Sequence, residues 1–126
     1  MARVLVVDDE PAIRALIRST LERAGHTVLD AADGPSALAS AQTHLPDLVL
    51  LDVALPGLSG LEVCRRLKAE PRTAGTEILL LTGLPQAEAS LPMGASDCIA
   101  KPFTPDGIVR QVEQALLRRK EPAGRR

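Results

Sequence analysis

Three carboxylates stand where apolar runs end. Val4-Leu5-Val6-Val7 is followed by Asp8 and Asp9, and Leu48-Val49-Leu50-Leu51 by Asp52. Two more runs close on other polar groups: Ile78-Leu79-Leu80-Leu81 on Thr82, and Cys98-Ile99-Ala100 on Lys101. Acids brought close together repel and do not all stay ionised without help. A hard divalent cation supplies it, and Mg2+ characteristically binds through one or two carboxylates, water and phosphate. Asp52 stands alone at the end of its run and is the candidate nucleophile, because a carboxylate can itself accept a phosphoryl group as an aspartyl phosphate. Asp8 and Asp9 are then the candidate metal ligands, with the metal neutralising charge on the phosphoryl oxygens. Lys101 offers a point charge to the phosphoryl group, and Thr82 a hydroxyl donor. A single aspartate here would mean little, since aspartate often caps helices. Three acids at two run ends, with a threonine and a lysine at two others, point to a site.

Other chemistries lack their residues. There is no Gly-x-x-x-x-Gly-Lys phosphate loop and no serine in a nucleophile elbow. His26 follows the Gly25 turn and His44 ends a helical stretch, so both read as surface or capping residues. Cys64 and Cys98 have no Cys-x-x-Cys spacing and read as reduced packing residues.

These side chains converge only if the runs are adjacent parallel strands. Short apolar runs alternate with longer amphipathic stretches, which predicts an α/β fold with a parallel sheet. In open sheets of that kind ligands bind at the carboxyl edge. Strands are expected at about 3–7, 27–31, 47–51, 77–81 and near 98–100. The first helix, about 10–24, would turn Ile13, Leu16, Ile17 and Leu21 inward and stop at Gly25. The second follows Asp33-Gly34-Pro35, with Ala37, Leu38, Ala41 and Leu45 inward and Pro35 in its first turn. The third opens at Ser59 with Glu62 three residues on, the signature of a capping box, and turns Leu61, Cys64 and Leu67 to the sheet. The fifth starts near Thr104-Pro105 with Ile108, Val109, Val112 and Leu116 inward. Between them only Gln86 to Leu91 is available for a fourth helix, and Pro92 cuts it off. That helix should be short or irregular.

The 126 residues suit one domain with its own core. Only Phe103 is aromatic, so aliphatic side chains must fill that core. No apolar stretch approaches the roughly 20 residues of a membrane span. Met1-Ala2-Arg3 leads straight into a strand without a signal-peptide pattern, so the expected location is cytoplasmic and no membrane partner is expected. Residues 118–126 carry a net charge of +4, leaving −5 on the rest of a chain whose total is −1. Without a basic face the domain is not expected to bind nucleic acid specifically. Residues 1–119 form the expected domain and 120–126 a basic tail or linker stub.

The chain resembles response-regulator receiver domains, the CheY-like fold of two-component signalling, from about residue 2 to residue 119. The resemblance rests on Val6-Val7-Asp8-Asp9-Glu10-Pro11, Leu51-Asp52-Val53-Ala54-Leu55-Pro56-Gly57-Leu58-Ser59-Gly60, Leu81-Thr82-Gly83 and Ala100-Lys101-Pro102-Phe103. It implies a doubly wound, flavodoxin-like five-stranded sheet of order 2-1-3-4-5 with helices on both faces. It implies that Asp52 accepts phosphate from a phosphohistidine on a sensor kinase or phosphotransfer protein, and that the switch then changes its binding to a downstream protein or output domain. It further implies that Asp8, Asp9 and Asp52, with the backbone carbonyl of Ala54, bind Mg2+, that Thr82 and Lys101 contact the phosphoryl group, and that Lys101–Pro102 is a cis peptide. Such a protein is no enzyme beyond its own phosphorylation and slow dephosphorylation.

Two features depart from the family. Cys98 stands three residues before Lys101, where the family usually has an aromatic ring that moves with the threonine. The Thr82-to-Lys101 interval is also short and interrupted by Pro92. The expectation is that phosphorylation is kept, while its read-out differs from the family's usual dimer through the last two helices and the strand between them. The alternative is a phosphorylation-independent interaction module of the same fold. A phosphatase-like hydrolase would usually carry a second acid two residues after its nucleophile, where this chain has Ala54.

Overall fold

The computed structural model describes residues 2–83, 97–100 and 102–120. The elements run β1 (Arg3–Val7), α1 (Pro11–Arg23), β2 (Thr27–Ala31), α2 (Gly34–His44), β3 (Leu48–Asp52), α3 (Gly60–Ala69), β4 (Glu77–Thr82), β5 (Asp97–Ala100) and α4 (Pro105–Lys120). The strands make one parallel sheet in the order β2-β1-β3-β4-β5. The helix at Pro105 is the fifth helical stretch of the sequence reading. The expected fourth, at Gln86 to Leu91, lies outside the described residues, as do Pro92, Lys101, the Lys101–Pro102 peptide and the tail beyond Lys120.

Alternate residues of each strand point to opposite faces, and both faces are covered. Val4, Val6, Leu48, Leu50, Leu79, Leu81 and Ile99 pack under α1 and α4, against Ile17, Leu21, Ile108, Val112 and Ala115. Leu5, Val7, Val49, Leu51, Ile78 and Leu80 pack under α2 and α3, against Ala37, Ala41, Val63, Cys64 and Leu67. Burial on two faces is why the strands read as unbroken apolar runs rather than alternating ones. Phe103, the single ring, lies partly buried against the α1/α4 cluster. Cys64 is buried, and its thiol pKa is pushed up by that burial. Cys98 is half-buried against the α2/α3 cluster.

Two expected inward residues are exposed. Leu16 lies off the buried stripe of α1, which runs through Ile17, Thr20 and Leu21. Leu45 is the C-cap of α2 in the left-handed region (φ 49°), and its side chain leaves the core where the chain turns.

His26, expected to be a surface or capping residue, takes the capping role, but its side chain is buried. Gly25 has φ +98°. Its N–H donates to the Glu22 carbonyl at 3.0 Å, and the His26 N–H donates to the Leu21 carbonyl at 3.1 Å. This is a Schellman motif, which commonly tucks the residue after the glycine back toward the helix. The His26 side chain is accordingly only 8% exposed, with Nε2 3.7 Å from Oε2 of Glu113 on α4.

Candidate functional site at the carboxyl edge of the sheet

Strand register sets the site. Val7 pairs with Leu51, so Asp8 and Asp52 leave β1 and β3 at the same level. Asp52 pairs with Leu81, placing Thr82 one step further along β4, and Thr82 pairs with Ala100. Asp52 and Thr82, expected just beyond their strands, are in fact the last residues of β3 and β4. One carboxylate oxygen from each of Asp8, Asp9 and Asp52 lies within 4.8 Å of the others. Asp8 and Asp52 are buried, at 0% and 4% exposure, Thr82 is buried, and Asp9 is exposed to solvent. Lys101, the remaining expected contributor, falls outside the described residues.

Local hydrogen bonds fix two of the acids. Oδ1 of Asp8 accepts from the Glu10 N–H at 2.9 Å, and Oδ1 of Asp52 accepts from the Ala54 N–H at 2.9 Å. Each is an aspartate turn onto the backbone two residues on, a conformation this short side chain favours. The second brings the Ala54 N–H, in the peptide before the Ala54 carbonyl, against the Asp52 carboxylate.

The chain after Asp52 reverses in a narrow space. Leu55 tucks into the α2/α3 cluster and Gly57 takes φ +73°. Ser59 Oγ then accepts the Glu62 N–H at 3.2 Å and starts α3. Only the first half of the expected capping box acts as a cap; the Glu62 carboxylate turns along α3 to Arg65 and Arg66. Those hydrogen bonds, Arg65 first, lower its pKa from 4.5 to about 2. Gly60 donates its N–H to the Val53 carbonyl at 3.0 Å. A side chain there would collide with the Asp52 carbonyl and come within 2.8 Å of Val53 Cα.

The donor set suits a hard cation. All three groups are carboxylates, with no nitrogen or sulfur among them. At an effective dielectric of about 20, two unit charges about 4 Å apart repel by about 4 kcal/mol. Two buried acids and an exposed third beside them therefore gain from a dication with oxygen preference, and Mg2+ fits that description.

Two residues at this edge have no role assigned from the sequence. Arg14 on α1 donates from Nη1 to the Asp8 carbonyl at 2.8 Å. Gly60 permits the close approach of α3 to β3. Arg14 shows in the sequence only as a charge six residues after Asp8. Gly60 carries a weak signal, a glycine at the first helical position directly after a capping serine.

Residues 4–113 match the family described as the response regulator receiver domain. The chain belongs to that family. It is 42% identical over 122 residues to the DNA-binding dual master transcriptional regulator RpaA of Synechocystis sp., covering 94% of this chain and 50% of that protein. It is 43% identical over 122 residues to the alkaline phosphatase synthesis transcriptional regulatory protein PhoP of Bacillus subtilis, with the same coverage of 94% and 50%. The chain thus spans about half the length of these curated relatives. Among solved structures, the chemotaxis protein CheY4 of Vibrio cholerae superposes with a TM-score of 0.86 at 35% identity, covering 91% of this chain and 98% of that one. The fold is CheY-like, and the chain is a receiver domain of two-component signalling, a regulatory switch. Among the described residues no helix is long and apolar enough to cross a membrane.

Proposed function

We propose that Asp52 is the phosphoacceptor of this receiver, supplied by a phosphohistidine on a sensor histidine kinase or phosphotransfer protein. The observation that carries this is the meeting of the Asp8, Asp9 and Asp52 carboxylates within 4.8 Å at the carboxyl edge of the sheet. Asp8, Asp9, Asp52 and the Ala54 carbonyl are the groups that would hold Mg2+. When bound, the ion neutralises charge on the phosphoryl oxygens. A carboxylate oxygen of Asp52 bonds to phosphorus as the P–N bond to the donor imidazole breaks, and the bonding pair leaves with that nitrogen. Thr82 donates its hydroxyl to a phosphoryl oxygen and Lys101 pairs with another. The new group brings about −1.5 to −2 of charge, enough to rearrange hydrogen bonds at the strand ends and alter binding to a downstream protein or output domain. The only reactions promoted are the domain's own phosphorylation and slow dephosphorylation. Residues 1–119 make up the switch, and 120–126 a basic tail or linker. The cytoplasm, where such kinases present their phosphohistidines, is its proposed location.

Incubation with acetyl phosphate and Mg2+, followed by intact mass, tests the reading. Wild type should gain one phosphoryl group, and Asp52→Asn, Asp52→Ala and chelator-treated wild type none. An unlabelled wild type, under conditions that label a control receiver, would instead favour the phosphorylation-independent module, toward which the small Cys98 at the usual ring position leans.

A further inference from the structure

We propose that Arg14 is a positioning residue for the metal-binding acids, and that its guanidinium holds the Asp8–Asp9 peptide in the orientation cation binding requires. This rests on the reading of Asp8 and Asp9 as Mg2+ ligands. The Asp8 carbonyl lies just past the last residue pair of the β1 ladder, which ends at Val7. Asp8 is tied on three sides: its N–H donates to the Ala31 carbonyl at 3.2 Å, its Oδ1 accepts from Glu10 N–H at 2.9 Å, and its carbonyl accepts from Arg14 Nη1 at 2.8 Å. Arg14 is itself fixed at its root, its N–H donating to the Glu10 carbonyl at 3.0 Å in the first turn of α1. The side chain thus closes a loop from the helix start back to the strand end.

Asp9 is the residue this loop governs. The Asp8 carbonyl and the Asp9 N–H belong to one planar peptide unit, so pinning the carbonyl sets where the Asp9 side chain departs. The Asp9 carboxylate is exposed, and no hydrogen bond or ion pair among the described residues orients it. Among the described residues, its place beside Asp8 and Asp52 follows from where its backbone sits. A guanidinium near a cation site also repels the cation. Arg14 is only half-buried, so water and salt screen that charge, whereas the hydrogen bond acts at contact. Positioning should outweigh repulsion.

Calorimetric titration with Mg2+ alone tests this on wild type, Arg14→Ala, Arg14→Met, Arg14→Lys and Asp9→Asn, each also melted without metal. Partners behind metal ligands typically contribute about 10- to 100-fold in affinity, and a half-exposed one belongs at the lower end. Arg14→Ala and Arg14→Met should weaken Mg2+ binding about tenfold with little change in metal-free melting, and Arg14→Lys should recover part of the loss. Arg14→Met keeps the aliphatic stem and serves if Arg14→Ala does not fold. Unchanged or tighter binding in the variants lacking the guanidinium would overturn the proposal, as would losses that only track metal-free stability. If Asp9→Asn itself binds Mg2+ as wild type does, the underlying assignment of the acids fails instead. If Asp9→Asn loses binding while the Arg14 variants keep it, only the role of Arg14 fails.

Discussion

Asp9 is the exposed member of a crowded trio of carboxylates, and like charges so placed repel unless a cation offsets them. Asp9→Asn should remove one repulsive partner from Asp8 and Asp52 and stabilise the metal-free domain by about 0.5–1 kcal/mol, well below the unscreened pair value because water reaches Asp9. Mg2+ should then raise the melting temperature of wild type through mass action but leave that of Asp9→Asn nearly unchanged. Thermal melts with and without Mg2+ check both statements. Asp8, Asp9, Asp52 and Thr82 were legible in the sequence because each closes an apolar run, and a parallel sheet delivers run ends to one edge. Arg14 was not, since its contact is with a backbone carbonyl, and a carbonyl carries no side-chain signature. The turn at Gly25 is visible in the sequence, but the burial of the His26 side chain beside Glu113 of α4 is not, because that neighbour lies far along the chain.

At the level of elements, α3 must begin hard against the end of β3, and Gly60 makes that possible. Gly60→Ala would push a methyl group into the Asp52–Val53 backbone and should cost about 1–3 kcal/mol, the range of overpacked sites. Urea unfolding would measure it, and phosphorylation of any folded fraction should slow because the strand end carrying Asp52 must shift. The surface of α3 supplies a pH effect. Glu62 has a folded pKa of about 2 against 4.5 unperturbed, held down by Arg65 and Arg66. A depressed carboxylate contributes stability that is complete above its unfolded pKa and fades as pH falls toward the folded value. Wild type should therefore lose more stability than Glu62→Gln on acidification from above pH 4.5 toward pH 2, as denaturation at stepped pH would show. The helices are legible from their apolar spacing, yet Leu16 and Leu45, expected inward, are exposed. Spacing marks a stripe but does not fix its edge, and Leu45 sits where a left-handed cap ends the helical period.

For the whole molecule, the alternation of apolar runs and amphipathic stretches was enough to predict a two-faced parallel sheet. Strand order was not accessible that way, because a run buried on both faces looks the same wherever it sits in a sheet. The order 2-1-3-4-5 came from the resemblance carried by the motifs at the strand ends, and the structure has that order. It places β1 beside β3, which puts the Asp8–Asp9 pair next to Asp52; an order separating those strands would scatter the same residues. The proposed switch turns on a covalent bond at one side chain. An acyl phosphate is a mixed anhydride, and borohydride reduces it to an alcohol, turning a phosphorylated aspartate into homoserine. The decisive measurement is peptide mass mapping of wild type after acetyl phosphate, Mg2+ and borohydride. Homoserine at position 52 and at no other aspartate is the predicted result; label at Asp8, Asp9 or elsewhere, with Asp52 intact, would contradict it.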